Sequence, residues 1–355
     1  MTSVGCSVLP IPGVVLMAVL IAPSGAIAVP PTPRGEEPTS RVRRPVALAL
    51  SGDGSALLVA NRRSGTISVI DLPSRRRIAE HEIARGLSDL VPFPDGIHFA
   101  AIDPEAGELL LLEHRPERLA VRSRLSLSPD PIHVAILPGG TACVVTSRWG
   151  RRLTIVDIEL GEGAKALTLR RSLNLPFSPR EVLSLGKGKA LLVADAFGGK
   201  LAVVDPSKGT LCSVREIPGH NLRGLTLAQD GSTVVLARQL SSRLATSSFD
   251  DVHWGNLMKN QVLTLRSEAI FDSEVDLLRG SSARDLDEVG HAAGDPEDLA
   301  LDPKGQTVVA LAGVGELAVL SDLARPIARV PAGTRPSSTR RANWPSSTMS
   351  RRTSW

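Results

Sequence analysis

A strand–turn–strand signature recurs along this chain, and it constrains the fold more than any other feature of the sequence. The first copy runs Pro45-Val46-Ala47-Leu48-Ala49-Leu50, then a Ser51-Gly52-Asp53-Gly54 turn, then the apolar Ala56-Leu57-Leu58-Val59-Ala60-Asn61. Ser64-Gly65-Thr66-Ile67-Ser68-Val69-Ile70-Asp71 follows as a third strand, and the polar 75–81 supplies a fourth, outer one. Asp-Gly suits a hairpin because glycine accepts a positive φ and aspartate tolerates it. Later copies turn at Asp95-Gly96, Gly139-Gly140, Gly186-Lys187-Gly188, Asp230-Gly231 and Asp302-Pro303-Lys304-Gly305. The turn glycines at 54, 96, 140, 188, 231 and 305 lie 42, 44, 48, 43 and 74 residues apart. Four short strands in forty-odd residues is the period of a β-propeller blade. Helical solenoids of similar period are disfavoured, since no window sustains a 3.6-residue period.

Both ends of the chain depart from this pattern. Residues 1–28 carry no charged side chain, Val14–Ala22 is apolar, and Ala26-Ile27-Ala28 is a small-x-small site. This reads as a secretory signal peptide followed by a polar, Pro-rich linker over 29–43. The apolar run is too short for a comfortable membrane span. At the other end, residues 337–355 carry four arginines, no acid and no apolar periodicity. Read two bases out of frame, Asn343-Trp344-Pro345 must give Leu-Ala. With GC-rich codons the segment can spell V-D-P-P-G-E-L-A-V-V-N-H-V-A-A-D-V-V, which matches the repeat. The expectation is therefore a seven-bladed, all-β propeller over 44–336, its last blade lost to a frameshift near Pro336. The tail 337–355 would then be aberrant or disordered.

Charge falls into place with the tail. The net charge of +4 on 355 residues suggests an acidic partner such as nucleic acid. The tail's four arginines account for all of it, and with 3% aromatics and no tyrosine, base-stacking platforms are scarce. No nucleic-acid role is expected. Cys6 leaves with the signal; Cys143 and Cys212 lie in apolar, strand-like stretches and are expected to be unpaired and buried. No Cys-x-x-Cys-His occurs, so the chain cannot attach c-type haem by that motif.

The Leu-Leu-Val-Ala-Asn…Gly-Thr-Ile-Ser-Val-Ile-Asp unit resembles the YVTN-type propeller repeat, with Leu or Val where Tyr is usual, from about Pro45 to Pro336. The fifth blade is more particular. His220-Asn221-Leu222-Arg223-Gly224 opens it, and Leu236-Ala237-Arg238-Gln239-Leu240 ends its second strand. An expanded loop over 241–260 contains His253-Trp254-Gly255 and ends at Asn260, and after a third strand (261–265) a second insertion spans 267–294. This pattern resembles secreted bacterial YVTN propellers that usually precede a di-haem cytochrome c peroxidase-like domain. The resemblance implies a redox association for the ancestor; the haem domain is absent here. Arg238 stands where those proteins tend to carry His.

Candidate binding or docking residues are His220, Asn221, Arg223, Gln239, His253, Trp254 and Asn260, grouped around the expanded blade. They would form a polar pocket or docking surface at one propeller face. Equally, Trp254 could pack the long loop down while Arg223 and Asn260 satisfy loop backbone groups. Asp53, Asp71, Asp157, Asp205 and Asp302 recur at turns and strand ends of the repeat and read as turn chemistry. His81, His98, His133 and His291 show no zinc-like spacing, and no Gly-x-Ser-x-Gly elbow is present. The acidic insert 267–288 reads as a surface loop in which 269–278 could form a short amphipathic helix.

The expected function is that of a secreted, non-enzymatic propeller at the periplasm or cell surface, a scaffold or docking module linked by ancestry to a c-type cytochrome. A protein partner or small ligand would bind one face. No catalytic residue, metal or cofactor is expected in this chain (haem c belonging only to the lost domain), no membrane span after cleavage, and a monomeric state. The alternatives are a propeller hydrolase of the lactonase kind, needing ligands converging from several blades, and a surface ligand-binding or adhesion module.

Overall fold

A computed structural model describes residues 42–116, 118–161, 166–253, 255–288, 291–302, 305–321 and 327–331. The expected signal peptide, nearly all of the linker, and the tail 337–355 lie outside these residues. What is described is six four-stranded antiparallel sheets, each with its strands in sequence order. Blade 1 comprises β1 (Pro45–Leu50), β2 (Ala56–Asn61), β3 (Thr66–Asp71) and β4 (Arg76–Glu82). Blade 2 comprises β5 (Asp89–Pro92), β6 (His98–Asp103), β7 (Glu108–Arg115) and β8 (Arg118–Ser126). Blade 3 comprises β9 (Pro131–Ile136), β10 (Ala142–Ser147), β11 (Arg152–Ile158) and β12 (Leu167–Asn174). Blade 4 comprises β13 (Pro179–Leu185), β14 (Ala190–Asp195), β15 (Lys200–Asp205) and β16 (Thr210–Glu216). Blade 5 comprises β17 (His220–Leu227), β18 (Thr233–Ser241), β19 (Met258–Arg266) and β20 (Ser282–Asp285). Blade 6 comprises β21 (Pro296–Leu301), β22 (Thr307–Leu311), β23 (Glu316–Leu320) and β24 (Ala328–Pro331).

The repeated turn works as its residues demand. Asp53 accepts the Ser55 N–H at 3.0 Å and the Ser51 hydroxyl at 2.6 Å, while Gly54 takes φ +69. These hydrogen bonds hold the Asp53 carboxyl down at about 2. Asp230 does the same with Ser232, and Asp95 with Ile97 and His98. Asp71 and Asp205 cap the turn between the third and fourth strands of their blades through Ser74 and through Ser207 and Lys208. Asp302 accepts the Gln306 N–H at 2.7 Å. Asp157 instead pairs with Arg170.

Second strands of the inner blades 3 and 4 are covered on both faces, and Ala142–Ser147 and Ala190–Asp195 are buried at every position. A strand buried on both sides reads as a continuous apolar run rather than an alternation. Fourth strands are mostly exposed and polar, as in Thr210–Glu216. The apolar side chains gather between blades. Phe99, Leu110 and Leu112 of blade 2 meet Leu58, Ile67 and Val69 of blade 1. Four further cores join blades 2 and 3, 3 and 4, 4 and 5, and 5 and 6.

Six blades thus share five cores. First strands pack in succession, β1 on β5, β5 on β9, β9 on β13, β13 on β17 and β17 on β21. Among the described residues no packing of comparable extent joins β21 back to β1. The remaining face of blade 1 leaves Leu48 57% exposed, and that of blade 6 leaves Val330 40% exposed. The expectation of seven blades is corrected to six: each legible repeat forms one sheet, and the segment expected to carry a seventh in another frame has neither a turn glycine nor an apolar run in this one.

Two further expectations change. Cys143 is buried in β10, but Cys212 is exposed, because it lies on an outer strand with one face to solvent; both thiols are free. The insert after β19 is not simply a solvated loop. It holds a five-residue helix, α2 (Ser267–Phe271), and strand β20, and its Ala269, Ile270 and Leu277 are buried. Arg215 of β16 donates to the carbonyls of Ala269 at 2.5 Å and Asp272 at 2.9 Å, fastening the insert to blade 4.

Two glycines illustrate how closely the loops are set. Gly65 has φ +66, and a Cβ there would lie 2.0 Å from the Ala84 carbonyl oxygen. Gly54 has φ +69 with open space around it. Gly54→Ala is expected to lose about 1–2 kcal/mol from the left-handed backbone alone. Gly65→Ala should lose clearly more, as a lower urea midpoint; equal midpoints for the two variants would contradict the close packing of 65 on 84.

Candidate functional site

The expanded β18–β19 loop of blade 5 and the polar residues at its base lie at one end of the sheets, and the insert with α2 lies at the other. The first of these ends carries the starts of first and third strands and the ends of second and fourth strands. It is called the mouth here. The Asp-Gly turns occupy the other end.

In blade 5 the mouth is a hydrogen-bonded row of amides. His220 opposes Gln239 in register, and Asn221, at φ +52, donates through Nδ2 to Gln239 Oε1. Gln239 Nε2 donates to Asn260 Oδ1 at 3.0 Å, and the Asn260 N–H donates to Asp287 Oδ2 at 2.9 Å. Asp287 also accepts the Ala293 N–H at 3.0 Å, which holds the connection into blade 6. Gln239 and Asn260 are buried. Arg238, the position that departs from the resembling family, is buried beside them. Its guanidinium donates to Gln261 Oε1 at 2.9 and 3.1 Å and to the Pro218 carbonyl at 2.9 Å. Burial lowers its pKa, opposed by Asp285. Lys259 lies 2.9 Å from Asp285, and this contact raises its own pKa.

Arg223 does not join that row. Its Nη1 reaches Glu297 Oε1 at 2.7 Å and Asp295 Oδ1 at 3.1 Å, both on blade 6, while its Nε is buried with no hydrogen-bond partner. Glu297 is shared, for Arg180 Nη2 of blade 4 donates to Glu297 Oε2 at 2.6 Å. The pair therefore skips blade 5 and joins blades that are not neighbours in the row. Burial lowers the Arg180 pKa, and the nearby cations Arg223 and Arg148 push the same way, against Glu297 and Glu181. Next to Arg180, Glu181 accepts the N–H groups of Gly224 at 2.9 Å and Leu225 at 2.8 Å, clasping blade 5. Asp89 clasps blade 3 in the same manner through Val134 at 2.9 Å. On blade 3, Arg148 holds Asp130 through two nitrogens at 2.8 and 3.3 Å.

The sequence-expected residues His220, Asn221, Gln239 and Asn260 are thus brought together, and Arg223 faces a separate ion network. Helix α1 (Phe249–His253) ends at His253, whose side chain lies outside the described residues, as does Trp254. The notion that Arg223 serves loop backbone groups gives way to carboxylate pairing. Arg180 and Glu297 left no trace in the sequence because a pair 117 residues apart has no local signature. Two exposed aromatics also escaped the sequence reading. Trp149, 63% exposed, stacks on Phe197, 49% exposed, with centroids 5.4 Å apart, and Arg148 lies 5.0 Å from the Trp149 ring centroid. One signal could have found them: each follows directly on a second strand, where the mouth loop must begin.

Away from the mouth, a cleft of about 650 Å³ lies between blades 2 and 3, with His98, Glu113, Arg115, Arg118, Arg122 and Glu159 on its walls. Glu113 is paired there with Arg115 and Arg122. Among the described residues, no three His, Cys, Asp or Glu side chains are placed to hold a metal ion. No described helix is long and apolar enough to cross a membrane.

No family model and no curated protein matches the chain. Solved structures do. Hydrazine synthase of Kuenenia stuttgartiensis superposes with a TM-score of 0.70 at 18% identity, over 84% of this chain and 90% of that one. A Bacteroides fragilis protein described as a 6-phosphogluconolactonase gives 0.59 at 14% identity, over 81% and 84%. A virginiamycin B lyase of Staphylococcus aureus gives 0.59 at 15%, over 83% and 86%. At such identities the likeness is one of fold: this is an all-β propeller, and propellers with quite different activities share its outline.

Proposed function

We propose that the chain is a secreted, non-enzymatic propeller that acts as a docking module, ancestrally coupled to a c-type cytochrome of the peroxidase type. The observation that carries this reading is the division of labour at the mouth. Its buried polar side chains are largely committed to each other: the amide row within blade 5, the shared Glu297, the Arg148–Asp130 pair. Among the groups the mouth presents outward is a stacked Trp149–Phe197 pair beside an arginine. Trp and Arg are the residues that most often dominate protein interfaces. The link to a cytochrome rests on the fifth-blade resemblance, and secretion on the uncharged N-terminal 28 residues. The half-exposed outer faces of blades 1 and 6 support the reading that the coding frame changes near Pro336; resequencing the gene tests that.

Titration calorimetry against a purified di-haem cytochrome c peroxidase tests the docking role, with lactone hydrolysis assayed in parallel. The expected result is saturable binding that weakens by about tenfold or more in Trp149→Ala, a typical hot-spot loss, and no turnover. Lactone turnover that follows a bound divalent ion, without cytochrome binding, would establish the hydrolase alternative instead.

A further inference from the structure

A group of arginines lies at the mouth end of blade 1. The Arg62 N–H donates to the Arg44 carbonyl at 2.9 Å, and the Arg63 N–H to the Arg43 carbonyl at 3.0 Å. The Leu87 N–H donates to the Arg62 carbonyl at 3.3 Å, bringing the 83–88 connection and Arg85 alongside. The Arg85 N–H is in turn fixed by Asp103 Oδ2 at 2.9 Å. Five arginines from three separate stretches of chain are thereby held on adjacent backbone. Arg43 is neutralised by Glu80 through two nitrogens. Arg44, Arg62, Arg63 and Arg85 are exposed, and none forms an ion pair among the described residues.

Exposed arginines without an ion pair among the described residues occur elsewhere too, at Arg75, Arg76, Arg118, Arg151, Arg243 and Arg279, but singly or as one sequence pair. Arg124, Arg148, Arg170, Arg180, Arg223 and Arg329 all hold carboxylates. On blades 5 and 6 the mouth's charges come in pairs, Asp285 with Lys259, Glu288 with Arg284, Asp295 with Arg223 and Glu297 with Arg180 and Arg223. Four unneutralised guanidinium groups on adjacent backbone repel each other in the free protein. An anionic partner relieves that repulsion and gains bidentate hydrogen bonds, which guanidinium forms with carboxylate. Two residues on from Arg44, β1 exposes Val46, and the Trp149–Phe197 stack of blades 3 and 4 lies at the same end of their sheets. Charge next to apolar side chains is the make-up of a protein interface, whereas a sulfated glycan would engage the arginines alone. A rigid strand end is also a poor device for entering a bilayer.

We propose that Arg44, Arg62, Arg63 and Arg85 form a docking patch for an acidic protein segment, one bearing clustered Asp or Glu beside apolar residues. This rests on the docking reading above and names the partner's chemistry. The test uses the full chain and three probes in parallel: a Glu-rich random copolymer containing tyrosine, heparin, and vesicles of phosphatidylglycerol. The copolymer should bind with an affinity that falls as salt rises, and an R62E/R63E variant should bind it at least about tenfold more weakly. Both side chains are exposed, so the fold should persist, as checked by circular dichroism. R118E, at the far end of the sheets, is the control and should bind as the parent does. Unchanged copolymer binding in R62E/R63E overturns the proposal, as does heparin or vesicle binding at least tenfold tighter than that of the copolymer. If cytochrome binding survives while copolymer binding is absent, the docking role stands and the acidic-segment assignment falls.

Discussion

Glu181→Ala is expected to cost about 3 kcal/mol of stability, a large share of what a domain possesses. The carboxylate is buried in β13 and accepts two backbone N–H groups of β17, at 2.9 and 2.8 Å. Each bond to a charged acceptor contributes about 1.5–3 kcal/mol, and alanine would leave both donors buried and unpaired. Glu181→Gln retains one carbonyl acceptor and should lose roughly half as much. Urea unfolding at neutral pH reads both. A loss under about 0.5 kcal/mol for the alanine variant would mean that the clasp between blades 4 and 5 contributes nothing and that the apolar core alone joins them.

Phe99→Ala should cost still more, about 3–5 kcal/mol. Phe99 is fully buried in the core shared by blades 1 and 2, against Leu58, Ile67, Leu110 and Leu112. Leu48→Ala, on the outer face of blade 1, is the matched control and should change stability by less than about 0.5 kcal/mol. The contrast between two apolar residues in neighbouring blades follows from which face each occupies. If Leu48→Ala destabilised as much as Phe99→Ala, the outer face of blade 1 would be covered in solution and the five-core description would fail.

The blades were legible in the sequence because their cause is local. A turn glycine, an Asp that bonds two residues ahead, and an apolar run covered on both faces all act within about twenty residues. Blade 6 could be read for the same reason despite the 74-residue gap before it. The candidate site was legible only where it is local too. Gln239 and Asn260 flank one expanded hairpin, so their pairing follows from strand register. Arg180 and Glu297 meet only because the blades curve round, and curvature is set by packing between sheets. Cys212 was misplaced because an outer strand carries a largely apolar stretch, Leu211 to Val214, in which Leu211, Cys212 and Val214 all face water. The insert was misjudged because three of its apolar residues find a neighbouring blade, which its acidic composition does not reveal. Blade number depends on what lies between the first and last sheets, and no repeat within 44–336 encodes that.

Five cores among six blades change how the molecule can come apart. A closed ring has no first blade to lose, since every sheet is gripped on two sides. Here blades 1 and 6 are each gripped once, so the described residues behave as a row with two ends. In a row, stability is a sum of nearest-neighbour terms and opening propagates inward from the termini. Blades 3 and 4 then hold out longest, and with them the Arg148–Asp130 pair and the Trp149–Phe197 stack. The part of the mouth that presents aromatic surface is seated on the last blades to open, while the arginine patch is carried by one of the first.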